Sequence, residues 1–295
     1  MNLWPRSLAI GLDRLVQAPA VRTIGHAARE LTGLLLPVEC TVCGVQDGAV
    51  CPPCAEQLTA SVLRPFRAER DAAALPLVSV SPDAGPAPLA VVAAGRYGGP
   101  LARALLGFKD HGRTPVGRHL RPAVHRALAA VPSLVGEQAP HGPGVPWTAP
   151  ALLVPVPGSA AGFRRRGYDP VAELLTGPLP PGWELAPRLL RHARGRAGAR
   201  ARGRPGRTAS HAGTASTLRR HRNAGRFRAT GRARRGQGRT VVLFDDVMTT
   251  GSTLAAAWQA LDGRGLRPAA AVVLAAVTAP GSEPSGGLNS GWRTD

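Results

Sequence analysis

The densest chemistry in the chain lies in Val242-Leu243-Phe244-Asp245-Asp246-Val247-Met248-Thr249-Thr250-Gly251-Ser252-Thr253. A short β-rich apolar run, Thr240 to Phe244, leads into two carboxylates and a hydroxyl- and glycine-rich turn. An alanine-rich, helix-compatible stretch follows from Leu254 to Leu261. This reads as a buried strand ending in Asp245 and Asp246, then a turn that opens a helix. The first N–H groups of a helix have no partner within it, so such a turn is a ready anion site. Thr249, Thr250, Ser252 and Thr253 add hydroxyl donors, and Gly251 lets the backbone approach closely. The carboxylates would repel a phosphate, so they are expected to accept hydrogen bonds from vicinal hydroxyls or to help hold a cation. Phosphate beside a diol points to a ribose 5-phosphate group. An ordinary capped helix would explain the hydroxyls but does not require the paired acids. A Walker-type phosphate loop is absent from the sequence.

All four cysteines fall together, as Cys40-x-x-Cys43 and Cys51-x-x-Cys54. Two such pairs can wrap four thiolates around a tetrahedral zinc, and four thiolates leave no open position, so a structural Zn²⁺ is expected rather than a catalytic one. Gly44 and Pro52-Pro53 suit the tight turns this needs. A redox role or a degenerate ribbon is the alternative, although one pair would suffice for thioredoxin-like chemistry.

These residues need a scaffold, and 295 residues are enough for one sizeable α/β domain with an accessory module. Apolar strands are expected at Leu89 to Ala94 and Ala151 to Val154, with helices at Leu101 to Phe108 and Val116 to Ala130. Residues 131–149, with several Pro and Gly, read as a loop, and Leu63 to Pro88 as a connection or irregular strand. Alternating strands and helices predict a mainly parallel sheet covered on both faces, with ligands collecting at the carboxyl ends of its strands. One such end is Pro155-Val156-Pro157-Gly158-Ser159, where prolines stiffen the exit and the following N–H groups and hydroxyl can face an anion. The division expected is an N-terminal helical segment at 1–36, a zinc module at 37–60, the α/β domain at 89–279 and a disordered tail at 280–295.

The formal net charge of +19 favours polyphosphates, nucleic acid or anionic surfaces without choosing among them. Nearly all of the excess is arginine, and Lys109 is the sole lysine. The stretch from Arg188 to Arg239 holds no Asp or Glu, and glycines interrupt it. It reads as a mobile basic loop, a solvated loop, or a contact surface for single-stranded nucleic acid; the scarcity of aromatics weakens the last. No run reaches the length of a membrane span and no clear signal peptide is present, so a cytoplasmic protein is expected.

The Asp245-Asp246 run resembles the phosphoribosyl pyrophosphate signature of type I phosphoribosyltransferases. With Leu34-Leu35-Leu36-Pro37, the cysteine pairs, Tyr97 to Lys109, Val154-Pro155-Val156-Pro157, Arg166-Gly167-Tyr168-Asp169 and Arg222-Asn223, the chain resembles the ComF family over about residues 34–279. That family is competence-associated and phosphoribosyltransferase-like. The resemblance implies a type I phosphoribosyltransferase fold that binds phosphoribosyl pyrophosphate with Mg²⁺. Asp245 and Asp246 would hold the ribose and support catalysis, and Thr249 to Thr253, including Thr250, Gly251 and Ser252, would anchor the 5-phosphate. Lys109, Pro157, Gly158, Ser159, Arg166 and Arg222 are the pyrophosphate candidates. The Arg-rich stretch would be a hood over the substrate, and single-stranded DNA and competence-machinery proteins would be partners. Two positions depart from the family pattern: Asp169 stands where Asn is usual, and Thr208-Ala209-Ser210-His211 where Thr-x-x-Gln is usual. A non-enzymatic nucleic-acid-binding scaffold or sensor on the same fold is the competing reading.

Overall fold

The computed structural model describes residues 39–79, 85–136, 150–193 and 225–279. The expected N-terminal helical segment, the tail, Arg222 and most of the Arg-rich stretch lie outside the described residues. In chain order the main elements are α1 (Pro52–Ser61), β1 (Phe66–Arg67), β2 (Leu77–Val78), β3 (Ala87–Pro88), β4 (Val91–Arg96), α2 (Gly99–Asp110) and α3 (Gly117–Val135). They continue with β5 (Ala151–Pro155), α4 (Ala160–Arg166), α5 (Pro170–Leu174), β6 (Trp183–Leu185), β7 (Leu190–His192), β8 (Phe227–Ala229), β9 (Val241–Met248), α6 (Ser252–Asp262) and β10 (Ala270–Ala276).

Six strands form the main sheet in the order β1-β4-β10-β9-β5-β6. All neighbours are parallel except β1, which runs antiparallel to β4. The central strands are near-continuous apolar runs because both faces are covered. Val92, Val242, Phe244 and Val272 pack on one side with α2, α3 and the cysteine module, while Val91, Val241, Leu243 and Val273 pack on the other with α6 and the β7–β8 ribbon. From β5 the chain steps outward to β6; from β9 it steps the other way to β10. The two neighbours β5 and β9 therefore diverge at their carboxyl ends, which is where a parallel sheet opens a ligand crevice. Among the described residues no helix is long and apolar enough to cross a membrane.

The mainly parallel, doubly covered sheet agrees with the sequence, and the element ends differ. Strand β9 does not stop at the acids but runs through them to Met248. Helix α3 continues past Ala130 to Val135 with Pro132 inside it, because Val131 and Val135 keep its buried stripe facing the sheet. Leu63 to Pro88 contributes three two-residue strands and a 3₁₀ turn.

Candidate functional site

Successive strand residues face opposite sides of a sheet, so the extension of β9 separates the two acids. Asp246 turns to the α2 side, where Lys109 Nζ lies 2.9 Å from both carboxylate oxygens. Its Oδ1 also accepts from Val247 N at 2.7 Å. Lys109 arrives there because the amphipathic α2 buries Leu101, Leu105 and Phe108, and its last turn carries the cation over the end of β9. Asp245 borders a small hollow shared with Thr249, Gly251, Ser252 and Thr253. Burial and the neighbouring charge of Asp246 raise its pKa well above the ordinary carboxylate value. A hydrogen bond from Asp246 N and the charges of Lys109 and Arg226 oppose that rise.

The turn after β9 is held from behind. Ala74 N donates to Thr250 O at 2.9 Å, and Leu75 presses on Gly251 so closely that a Cβ there would lie 2.7 Å from the leucine side chain. Gly251 also takes φ +80°, a left-handed conformation that glycine alone adopts without strain. The N-cap of α6 is Gly251, which has no side chain to cap the helix, and the first turn of α6 borders the hollow. Thr250 Oγ1 is buried without a hydrogen-bond partner among the described residues. Thr249 is exposed, and Ser252 and Thr253 are half-buried.

Across the crevice the β5 exit is tied to β9 by Val156 N donating to Phe244 O at 2.8 Å. Pro157, Gly158 and Ser159 follow. Ser159 uses its hydroxyl as the N-cap of α4, accepting from Gly162 N at 3.0 Å. Gly158 N donates to Asp169 Oδ2 at 3.2 Å, while Asp169 Oδ1 caps α5 through Val171 N at 3.0 Å. The aspartate at this departure from the family pattern thus engages the N–H expected to face pyrophosphate. Arg166 folds back over Gly162 on its own helix. Lys109 is brought to Asp246 rather than to this loop. Two residues at the crevice escaped the sequence reading: His192, whose Nε2 reaches the carbonyls of Pro157 and Gly158, and Arg226, whose charge is felt at Asp245. Both sit in an arginine-rich run where nothing in the sequence distinguishes them.

The sulfurs of Cys40, Cys43, Cys51 and Cys54 lie within 4.8 Å of one another, with Cys43 and Cys51 3.6 Å apart. A tetrahedral Zn²⁺ with Zn–S near 2.3 Å requires sulfurs about 3.8 Å apart, so the cluster fits the ion. Burial opposes the Cys40 thiolate, but N–H groups of Cys51, Cys43 and Val42 bring its pKa down to about 6. Burial and the other thiols push Cys54 up to about 12. The thiols of Cys51 and Cys54, both raised, hold protons that a bound cation would displace, so zinc loading is expected to release protons in a calorimetric titration. Arg113 Nη1 donates to Glu39 O at 2.6 Å, and Gly107 lies against Thr41, which docks the module on α2. Cys54→Ser should abolish stoichiometric zinc and lower Tm by roughly 10 °C, read by metal analysis and differential scanning calorimetry.

No curated protein matches the chain. Residues 173–289 match the family model described as "Phosphoribosyl transferase domain". The matched span includes both acids of β9 and the turn that follows them, while the cysteine module and Lys109 precede it. The match makes residues 173–289 similar to a phosphoribosyl transferase domain, and the parallel sheet with its crevice between β5 and β9 is the fold on which that similarity lies.

Proposed function

We propose that the protein binds phosphoribosyl pyrophosphate with Mg²⁺ and transfers its phosphoribosyl group, as a ComF-like protein serving DNA uptake or nucleotide metabolism. The observation that carries this reading is the N-terminus of α6, where Gly251, Ser252 and Thr253 line one hollow with Thr249 and Asp245. The helix end supplies donors for a phosphate, and the carboxylate accepts from the ribose hydroxyls. Anchoring the 5-phosphate away from C1 orients the sugar for displacement of pyrophosphate. Asp245, near the developing positive charge of the ribose, stabilises it electrostatically. Asp246 and Lys109 form the base of the site and hold the strand end in place. Mg²⁺, commonly held by one or two carboxylates plus substrate phosphates, would be held here by Asp245 and the ligand's phosphates, and would neutralise the departing pyrophosphate.

The test is calorimetric titration of ribose 5-phosphate and of phosphoribosyl pyrophosphate, with and without Mg²⁺. Asp245→Ala should weaken both by about tenfold or more; unchanged affinity would refute the ribose contact. Hydrogen bonding to the diol favours the ionised acid, so affinity should rise with pH through the raised pKa of Asp245, and Asp245→Asn should flatten that dependence. The linkage to stability has the opposite sense. A carboxyl that binds its proton more tightly when folded loses stability as pH rises above its unfolded pKa, about 3.9. Asp245→Asn should therefore raise Tm at neutral pH by about 2–6 °C while weakening the ligand. Pyrophosphate release in an acceptor screen then reports turnover.

A further inference from the structure

The last turn of α2 joins two parts of the molecule that lie far apart in sequence. Its Lys109 reaches Asp246 at the crevice, while residues on either side of that lysine rest on the cysteine module. Gly107 is buried against Thr41, so closely that an added Cβ would overlap the threonine methyl. Arg113, just past the helix, donates through Nη1 to Glu39 O at 2.6 Å and to Thr41 Oγ1 at 3.4 Å. Its own backbone N–H returns to Gly107 O at 3.1 Å and closes the end of the helix. Gly107 and Arg113 are thus tied to each other, and each to the module.

The module's half of the contact is equally narrow. Glu39 and Thr41 flank Cys40, one of the four cysteines whose sulfurs converge. Cys40 N donates to Val45 O at 2.7 Å and Thr41 N to Ala49 O at 2.9 Å, so this segment is pinned within the module. Val42 and Leu58 carry the packing on to Leu101, Leu105 and Phe108, which makes the module and the buried stripe of α2 one apolar cluster. The other tie on this turn, Asp110 to Arg165 at 3.2 Å, joins two well exposed side chains and holds little.

We propose that Thr41 is a positioning residue for the ribose-phosphate site: across Gly107 it sets the last turn of α2, and with it the place of Lys109 at Asp246. This rests on the reading of the crevice as a phosphoribosyl pyrophosphate site, and it gives the cysteine module a part in ligand binding. Thr41 acts along α2 and need not touch the ligand. A hydrogen bond of 2.9 Å no longer forms once its partners separate by about 1 Å, so a small shift of the turn suffices to release Asp246.

Gly107→Ala wedges the contact apart, since a β-branched threonine has few rotamers into which its methyl can retreat. Adding Thr41→Ser removes that methyl, leaves the remaining atoms 3.4 and 3.6 Å from the new carbon, and keeps the hydroxyl that Arg113 meets. Arg113→Ala loosens the same contact without adding bulk. Ribose 5-phosphate is titrated into the full zinc-loaded chain, with zinc content and Tm recorded for each variant. Gly107→Ala should weaken the ligand about fivefold and Arg113→Ala about threefold, with zinc retained, and Gly107→Ala with Thr41→Ser should return to within about twofold of the parent. Lys109→Ala should itself weaken the ligand, and neither change should add a further loss in that background. A lowered Tm with unchanged ribose 5-phosphate affinity, losses that add fully to that of Lys109→Ala, or failure of Thr41→Ser to rescue would overturn the assignment. Failure of the unmodified protein to bind ribose 5-phosphate would overturn the parent reading, and this one with it.

Discussion

Lys109→Ala lowers the folding free energy by about 1–3 kcal/mol and Tm by about 4–10 °C. The cause is the partner left behind: the Asp246 side chain is only 9% exposed, and its two oxygens both face the lysine. Breaking a fully buried pair costs about 3–5 kcal/mol, and the smaller figure here reflects the 30% exposure of the Lys109 side chain, which lets water replace part of the ammonium. Lys109→Ala combined with Asp246→Ala should recover much of the loss, since the Asp246 carboxylate is then no longer left without its partner. Urea unfolding of the single and double variants measures this. A single-variant cost inside the range of a surface ion pair, about 0–1 kcal/mol, would show that water already neutralises Asp246. The site should respond as well. Lys109 opposes the raised pKa of Asp245, so its removal should move the pH dependence of ribose 5-phosphate binding to higher pH.

Gly251→Ala is expected to destabilise by about 2–4 kcal/mol and to eliminate measurable ribose 5-phosphate binding. A left-handed residue with a Cβ costs about 1–2 kcal/mol, and forcing a carbon into a packed site adds about 1–3 kcal/mol. Both apply, because φ is +80° and the added carbon would lie 2.7 Å from Leu75 and 3.3 Å from its backbone nitrogen. Gly265 separates the two contributions: its φ is +75° and nothing lies within 4 Å of a Cβ there. Gly265→Ala should show only the backbone cost, by denaturant unfolding, and leave the ligand unaffected. Equal losses at the two positions would mean that Leu75 yields freely and that the turn is not braced from behind.

The parts of the site that could be read from the chain are those where local chemistry is self-sufficient. A run such as Val242 to Phe244 must be buried, and hydroxyls around Gly251 must begin a helix, so the β9–α6 junction follows from adjacent residues. The cysteine spacing likewise brings four sulfurs together within one short segment. The division of labour between Asp245 and Asp246 does not follow. It depends on β9 continuing in extended form past the acids, which the pairing of Val247 with Ala275 and Met248 with Ala276 enforces from a strand well downstream. The contacts of His192 are invisible for a related reason, because they form only once β7 meets β8 across an intervening stretch of chain. Pro132 misleads in the other direction: burial of Val131 and Val135 outweighs the backbone donor that a proline removes from a helix.

The strand that joins the two halves of the sheet is also the one translated last among those described. β10 lies between β4 and β9, and all seven of its residues are buried. On the ribosome, β4 emerges long before the strand that links it to β9. Until then both present bare apolar edges, a natural target for chaperones and a hazard for self-association. A nascent chain arrested just after α6 would carry the acids and the threonine turn, yet lack the strand that holds β9 against β4.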